Sequence, residues 1–169
     1  MNPAIVLGSS RTVWSDLHSI PKWIRDKAVW FAVNDMIVFA PKVHHAVSLH
    51  RHKLPHWLAL RTQDGSRVAK IVSHSGAQHE GVDKEWPQHR RSGSSSLFAA
   101  RVAVEMGHAP VLLVGVSLDN AGHMYDDPFA KVNHGHDHFR QSWVDAKEEL
   151  RRGQVFALSG FLQELLGEW

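Results

Sequence analysis

Apolar residues in this chain come in two patterns that alternate along it. "PAIVLG" (Pro3 to Gly8), "AVWFAVND" (Ala28 to Asp35), "HHAVSLH" (His44 to His50), "RVAKIVSH" (Arg67 to His74), "APVLLVGVS" (Ala109 to Ser117) and "QVFALS" (Gln154 to Ser159) are short apolar runs closed by polar or glycine residues. Near-continuous runs of this length predict strands buried on both faces, as in a parallel sheet. Between the first two runs, "TVWSDLHSIPKWIRD" predicts a helix or a pair of short turns. "HKLPHWLALR" predicts a short helix with Pro55 in its first turn, where a missing N–H does no harm. Ser94 to Gly107 carries Leu97, Phe98, Val102 and Met106 on one side and Arg101 and Glu105 on the other, with Gly107 as C-cap. Asp137 to Arg152 predicts a further helix, with Arg151 and Arg152 in its last turn and Gly153 ending it, and "GFLQELLGEW" predicts the last. Strands alternating with helices imply right-handed crossovers and a doubly wound α/β fold. The expectation is one domain over residues 1–169, with a mainly parallel sheet of about six strands. From Ser75 to Arg91 no period is visible, and the segment is expected to be a long loop of the kind that carries function.

Composition narrows the classes. With 43% hydrophobic and 21% charged residues the chain has the balance of a soluble globular protein, folding alone or as a small homo-oligomer. No apolar stretch approaches the roughly 20 residues that cross a bilayer, and "MNPAIVLGSS" lacks a signal-peptide pattern, so a cytoplasmic location is expected. Cysteine is absent, which excludes disulfides, thiolate metal sites and cysteine nucleophiles. The net charge of +2 is too small to point to nucleic acid by itself. There is no Gly-x-x-x-x-Gly-Lys-Ser loop, no Gly-x-Gly-x-x-Gly fingerprint and no Gly-x-Ser-x-Gly elbow. P-loop phosphoryl transfer, a standard NAD site and an α/β-hydrolase esterase are therefore disfavoured.

In a doubly wound sheet, ligands bind outside the carboxyl ends of the strands. Four such ends carry candidate chemistry. In "GSSRT", Gly8 permits close backbone approach, and Ser9 and Ser10 suit either an anion or an ordinary helix cap. In "VND", Asn34 and Asp35 can read ribose hydroxyls or a base edge, or close the strand as an Asx turn. Ser92 to Ser96 supply more hydroxyls in front of a helix than one cap needs, which favours a phosphate or nucleotide contact. In "DNAGHMYDD", His123 has the titration range of a general base, with Asp126 or Asp127 to orient it.

The other unusual residues have plainer readings. The alternating histidines of "NHGHDH" (Asn133 to His138) suit zinc or nickel but lack a fixed tetrahedral geometry. His50 lies at a strand end and can face a ligand, while His44, His45, His52 and His56 are expected at the surface. Of seven tryptophans, Trp86 in the long loop is the candidate for stacking on a base or sugar.

"SSSLFAARVAVEMGHAPVLLVGVSLDNAGHMYD" resembles the segment of bacterial lipooligosaccharide sialyltransferases in which a Ser-Gly turn, a small-residue helix and an apolar strand hold the cytidine nucleotide. "VLGSS" and "VND" resemble that family's first glycine loop and second strand end. A related pattern occurs in motility-accessory and hydroxymethylpterin diphosphokinase proteins, which share the Rossmann-like core. The resemblance implies that Gly8, Ser9, Asn34, Ser94, Ser95, Gly115 and Asp119 contact a nucleotide. Ser96 stands where that family has glycine, and Tyr125 is this chain's one tyrosine.

The function expected from these readings is glycosyl transfer from a nucleotide-activated sugar, pyrimidine favoured, to an unidentified acceptor. One alternative is diphosphate transfer, which would need Mg²⁺ on Asp119, Asp126 or Asp127. The other is a non-catalytic module binding a nucleotide, or nucleic acid through Arg90 and Arg91.

Overall fold

The computed structural model describes residues 1–63, 70–119, 122–126 and 137–169. Each apolar run with a described core becomes a strand: β1 Ala4–Leu7, β2 Val29–Val33, β3 His45–Val47, β4 Val72–Ser75, β6 Val111–Val114 and β7 Val155–Ala157. A further strand, β5 Lys84–Glu85, lies inside the segment expected to be loop, together with a 3-10 turn at Pro87–His89. The seven strands form one sheet in the order β5-β4-β3-β2-β1-β6-β7, and every pairing is parallel. The expectation of about six strands missed β5 because both of its residues are exposed and charged, which leaves no apolar signal.

From β1 the chain steps outward through β2, β3, β4 and β5, then returns to the other side of β1 for β6 and β7. The winding therefore reverses between β1 and β6, and neighbouring loops there must leave toward opposite faces. Side chains alternate accordingly. Ile5 and Leu7 point into a core with α1 (Val13–Ser19), α2 (Lys22–Lys27), α3 (Met36–Phe39) and α4 (Leu54–Thr62). Ala4 and Val6 point into the opposite core, with α5 (Ser95–Glu105), α6 (Asp137–Arg152) and α7 (Gly160–Leu166). The structure is thus the doubly wound, Rossmann-like α/β fold.

Sequence chemistry explains how the two central helices pack. Buried Ala99, Ala100 and Ala103 let α5 lie close to the sheet between the larger Leu97, Phe98 and Val102. Helix α6 carries an apolar stripe through Phe139, Trp143, Ala146 and Leu150, spaced at one face of a helix. Gly107 ends α5 at φ +81°, where a left-handed residue is needed. Among the described residues no helix is long and apolar enough to cross a membrane.

Two histidines expected at the surface are built into the fold. His44 accepts the Trp30 backbone N–H at 2.8 Å. His45 stacks on Phe31 with ring centroids 4.5 Å apart, and its Nδ1 lies 2.8 Å from Nε2 of fully buried His74. Trp86 Nε1–H donates to His74 Nδ1 at 2.9 Å, so the His74 proton sits on Nε2 and is donated to His45. Trp86, the candidate for stacking on a ligand, is thereby committed to the core side of the sheet.

Burial, then the neighbouring histidines and Lys84, push His74 down to about 3 and His45 down to about 4. Folded pKa values below the unfolded value mean that this stability is complete above the unfolded pKa and is lost as pH falls toward the folded ones. The melting temperature should drop steeply between pH 6.5 and pH 5, and that slope should roughly halve in His74→Gln. An unchanged slope in the variant, measured by calorimetry across pH, would contradict the buried neutral pair.

Candidate functional site

The register that pairs Leu7 with Val114 carries Gly8 and Gly115 past each other just beyond the ends of β1 and β6. A Cβ on Gly8 would lie 2.6 Å from the Gly115 carbonyl oxygen, and one on Gly115 would lie 2.5 Å from the Gly8 carbonyl oxygen. Gly115 also has φ +64°, so glycine is required there twice over. The crossing is fastened by Gly8 N–H to the Val114 carbonyl (2.9 Å) and Ser10 N–H to the Gly115 carbonyl (3.0 Å).

Asp16 braces it from below. This carboxylate is 6% exposed and accepts from Gly115 N–H at 2.9 Å, Thr12 Oγ1 at 3.0 Å and Ser159 Oγ at 2.8 Å. Ser117 donates to Ser10 at 2.9 Å, and the Ser10 and Thr12 hydroxyl oxygens are 3.1 Å apart, so hydroxyls link the brace to the site floor. Asp16 did not emerge from the sequence reading. Its signal was present, because Val13, Asp16 and Leu17 fall at i, i+3 and i+4, placing a carboxylate on the buried stripe of α1.

Above the crossing opens a cavity of about 350 Å³, walled by the Gly8 loop, the β2 end, the α5 start and the segment after β6. Its size falls in the range of small-molecule sites. Gly8, Ser9, Ser10, Asn34, Asp35, Ser94, Ser95, Gly115, Asp119 and His123 all line it. Asp126 does not. Asp127 and residues 133–136 lie outside the described residues.

The serines in front of α5 divide the work. Ser92 Oγ donates to the His89 carbonyl at 2.7 Å and accepts from Arg101 at 3.0 Å, tying the turn to the helix. Ser94 is the N-cap, accepting from Leu97 N–H at 3.2 Å. Ser95 Oγ accepts from Leu49 N–H at 3.1 Å and fixes the end of β3. Ser96 lines the cavity, and its hydroxyl has no partner among the described residues. Three hydroxyls thus hold the backbone, while the start of α5 presents its unpaired amides and positive dipole end to the cavity.

At the end of β2, Asn34 adopts φ +55°. Its Oδ1 accepts from the fully buried Ser48 hydroxyl at 2.6 Å, and Ser48 accepts in turn from His50 N–H at 2.9 Å. With Oδ1 engaged, the amide NH₂ is the part of Asn34 left for a ligand acceptor. His50 lines the same wall and titrates below the usual imidazole range, first because of burial and then because Lys53 and His52 disfavour its cation.

His123 is held against the Gly8 loop by backbone bonds on both sides. Arg11 N–H donates to the Gly122 carbonyl at 3.1 Å and Met124 N–H to the Ser9 carbonyl at 2.9 Å. The Asp126 carboxylate accepts the His123 backbone N–H at 2.6 Å, which positions the segment. The ring is 2.9 Å from Ser9 Oγ through Nδ1 and stacks on Tyr125 with centroids 5.2 Å apart.

Tyr125 lies beside Asp35 and Ser9; burial first, then Asp35, pushes its phenol above the usual range.

Among the described residues no three His, Asp or Glu side chains gather as a metal site. No protein-family model matches the chain, and no curated protein matches its sequence. A solved structure does resemble it: the sialyltransferase CstII from Campylobacter jejuni, in complex with the substrate analogue CMP-3FNeuAc. The likeness has a TM-score of 0.59 at 12% identity and covers 99% of this chain and 86% of that one. At that identity it shows a shared fold.

Nitrogen-15 shifts should find one dominant tautomer of His123, set by the 2.9 Å contact of its Nδ1 with Ser9 Oγ. In Ser9→Ala the two tautomers should become more nearly equal. Identical tautomer populations in the two proteins would show that Ser9 does not set the tautomer.

Proposed function

We propose that the chain is a glycosyltransferase-like enzyme that binds a nucleotide-activated sugar, most favourably a pyrimidine nucleotide, in the cavity above the Gly8–Gly115 crossing. The observation that carries this reading is the convergence on one cavity of a bare backbone crossing, a helix start and the Asn34 amide. The crossing lets a ligand approach the backbone closely, the helix start and the Asn34 amide offer N–H donors, and together they suit a ligand with one anionic end and one heterocyclic end.

In the proposed arrangement the phosphate lies against the Gly8 loop and the first amides of α5. The nucleoside extends toward Asn34 and the start of the β3 loop. The acceptor hydroxyl approaches the anomeric carbon from the side of His123. As the new C–O bond forms, His123 Nε2 takes the hydroxyl proton, and the bond from the anomeric carbon to the phosphate oxygen breaks with its electron pair leaving on the nucleotide. The amides at the α5 start meet the charge that develops on that oxygen. Ser9, 2.9 Å from Nδ1, holds the imidazole in place. The neighbouring sialyltransferase was captured with a CMP-containing analogue, which makes cytidine nucleotides the first donors to test.

A thermal-shift series with CMP, UMP, UDP, GDP and ATP, each with and without Mg²⁺, tests the reading. At about a hundred times its dissociation constant, the bound nucleotide should raise the midpoint by about 5–10 °C. CMP should give that rise without Mg²⁺, and Asn34→Ala should lose most of it. A rise that requires Mg²⁺ would favour diphosphate transfer, and no rise with any nucleotide would refute the assignment. Replacing His123 by Gln should leave the CMP shift intact and lower transfer from the matching nucleotide sugar by about 10²–10⁴-fold.

A further inference from the structure

Three aromatic rings form a row that begins in the wall of the principal cavity and ends outside it. His123 lines the cavity. Its ring stacks on Tyr125, with centroids 5.2 Å apart and planes 14° apart, and Tyr125 in turn meets Phe39 at 6.3 Å and 40°. Neither Tyr125 nor Phe39 belongs to the cavity wall, and they are 55% and 50% exposed. Both are nevertheless anchored. The segment carrying Tyr125 is tied to the Gly8 loop where Met124 N–H donates to the Ser9 carbonyl at 2.9 Å. Phe39 ends α3, whose Met36 and Ile37 are fully buried, and Arg61 donates to the Ile37 and Ala40 carbonyls on either side of it, at 2.9 and 2.8 Å. Two large rings fixed side by side in water, and continuous with a cavity through His123, have the character of a binding surface.

We propose that Tyr125 and Phe39 form the platform on which a saccharide acceptor lies. The inference rests on the reading of the principal cavity as the donor site and of His123 as the base, since rings outside that cavity and next to His123 stand where the acceptor arrives. A sugar ring carries C–H groups on its face and hydroxyls around its rim. It can lay that face on an aromatic ring while its hydroxyls stay in water or turn to His123. An open-chain polyol has the hydroxyls but no such face. An acyl chain gains most where it is enclosed and taken fully out of water, and half-exposed rings do not enclose it. Tyr125 and Phe39 therefore select a sugar over other alcohols.

Binding of cellobiose, lactose, maltose and the open-chain polyol sorbitol can be followed by amide chemical shifts, with and without saturating CMP, on the wild type, Phe39→Leu and Tyr125→Leu. Leucine keeps an apolar side chain and removes the flat ring. At least one disaccharide should bind about tenfold tighter than sorbitol, perturbing the His123, Tyr125 and Phe39 amides, and each substitution should weaken it about threefold or more. The CMP shift should be the same in Phe39→Leu as in the wild type. No disaccharide bound more tightly than sorbitol, or unchanged disaccharide affinity in either variant, would overturn the proposal. So would loss of CMP binding in Phe39→Leu, which would assign the rings to the donor. Self-association of the wild type that Phe39→Leu abolishes, read by light scattering, would assign them to a second copy and overturn it too. Failure of CMP to bind the wild type would refute the donor site alone, because the disaccharide comparison is also made without nucleotide.

Discussion

The chains that leave β1 and β6 toward opposite faces of the sheet pass each other just beyond the last paired residues, and that close passage is made by Gly8 and Gly115. Their carbonyls lie where each other's Cβ would be. Bare backbone at the reversal point has two consequences. It lets the loops after β1 and β6 stand close enough to form one floor, and it leaves no side chain to fill the space above them. Closeness also concentrates backbone dipoles, and the buried Asp16 carboxylate answers by binding the Gly115 amide from beneath. A buried carboxylate is tolerable because three donors surround it. The floor is therefore rigid without having any side chain of its own.

Rigidity spreads outward through hydroxyls and amides rather than through apolar contact. Ser95 fixes the end of β3 to α5, and Ser48 fixes Asn34 at the end of β2. The loop carrying His123 is tied by backbone bonds to the loop that follows Gly8. Each wall of the cavity is thus anchored to its neighbour, and groups from four strand ends keep a common geometry. That is the preorganisation a transfer site needs if its dipoles are to stabilise charge without first rearranging.

The strands with apolar cores were legible because double burial writes a continuous apolar run. β5 was not, since Lys84 and Glu85 pair only through their backbone at an exposed edge. Strand ends were legible as places for polar residues, which is why ten candidate residues meet at one cavity. Their division of labour was not legible. The surplus of serines before α5 has the composition of an anion site, yet Ser92, Ser94 and Ser95 hold backbone groups that only the folded chain brings near. Histidine misled in the other direction. His45 and His74 are 29 positions apart in sequence and become hydrogen-bonded partners only when β3 and β4 pair. Long-range polar pairing of this kind leaves no local period to read.

The central claim is that the glycine crossing and the α5 start form one nucleotide site. Amide chemical shifts recorded during a titration with CMP test it residue by residue. The account predicts the largest changes at Gly8, Ser9, Asn34, Ser95, Ser96 and Gly115, saturating at one common dissociation constant. Changes confined to the surface cations, or scattered without saturation, would contradict it.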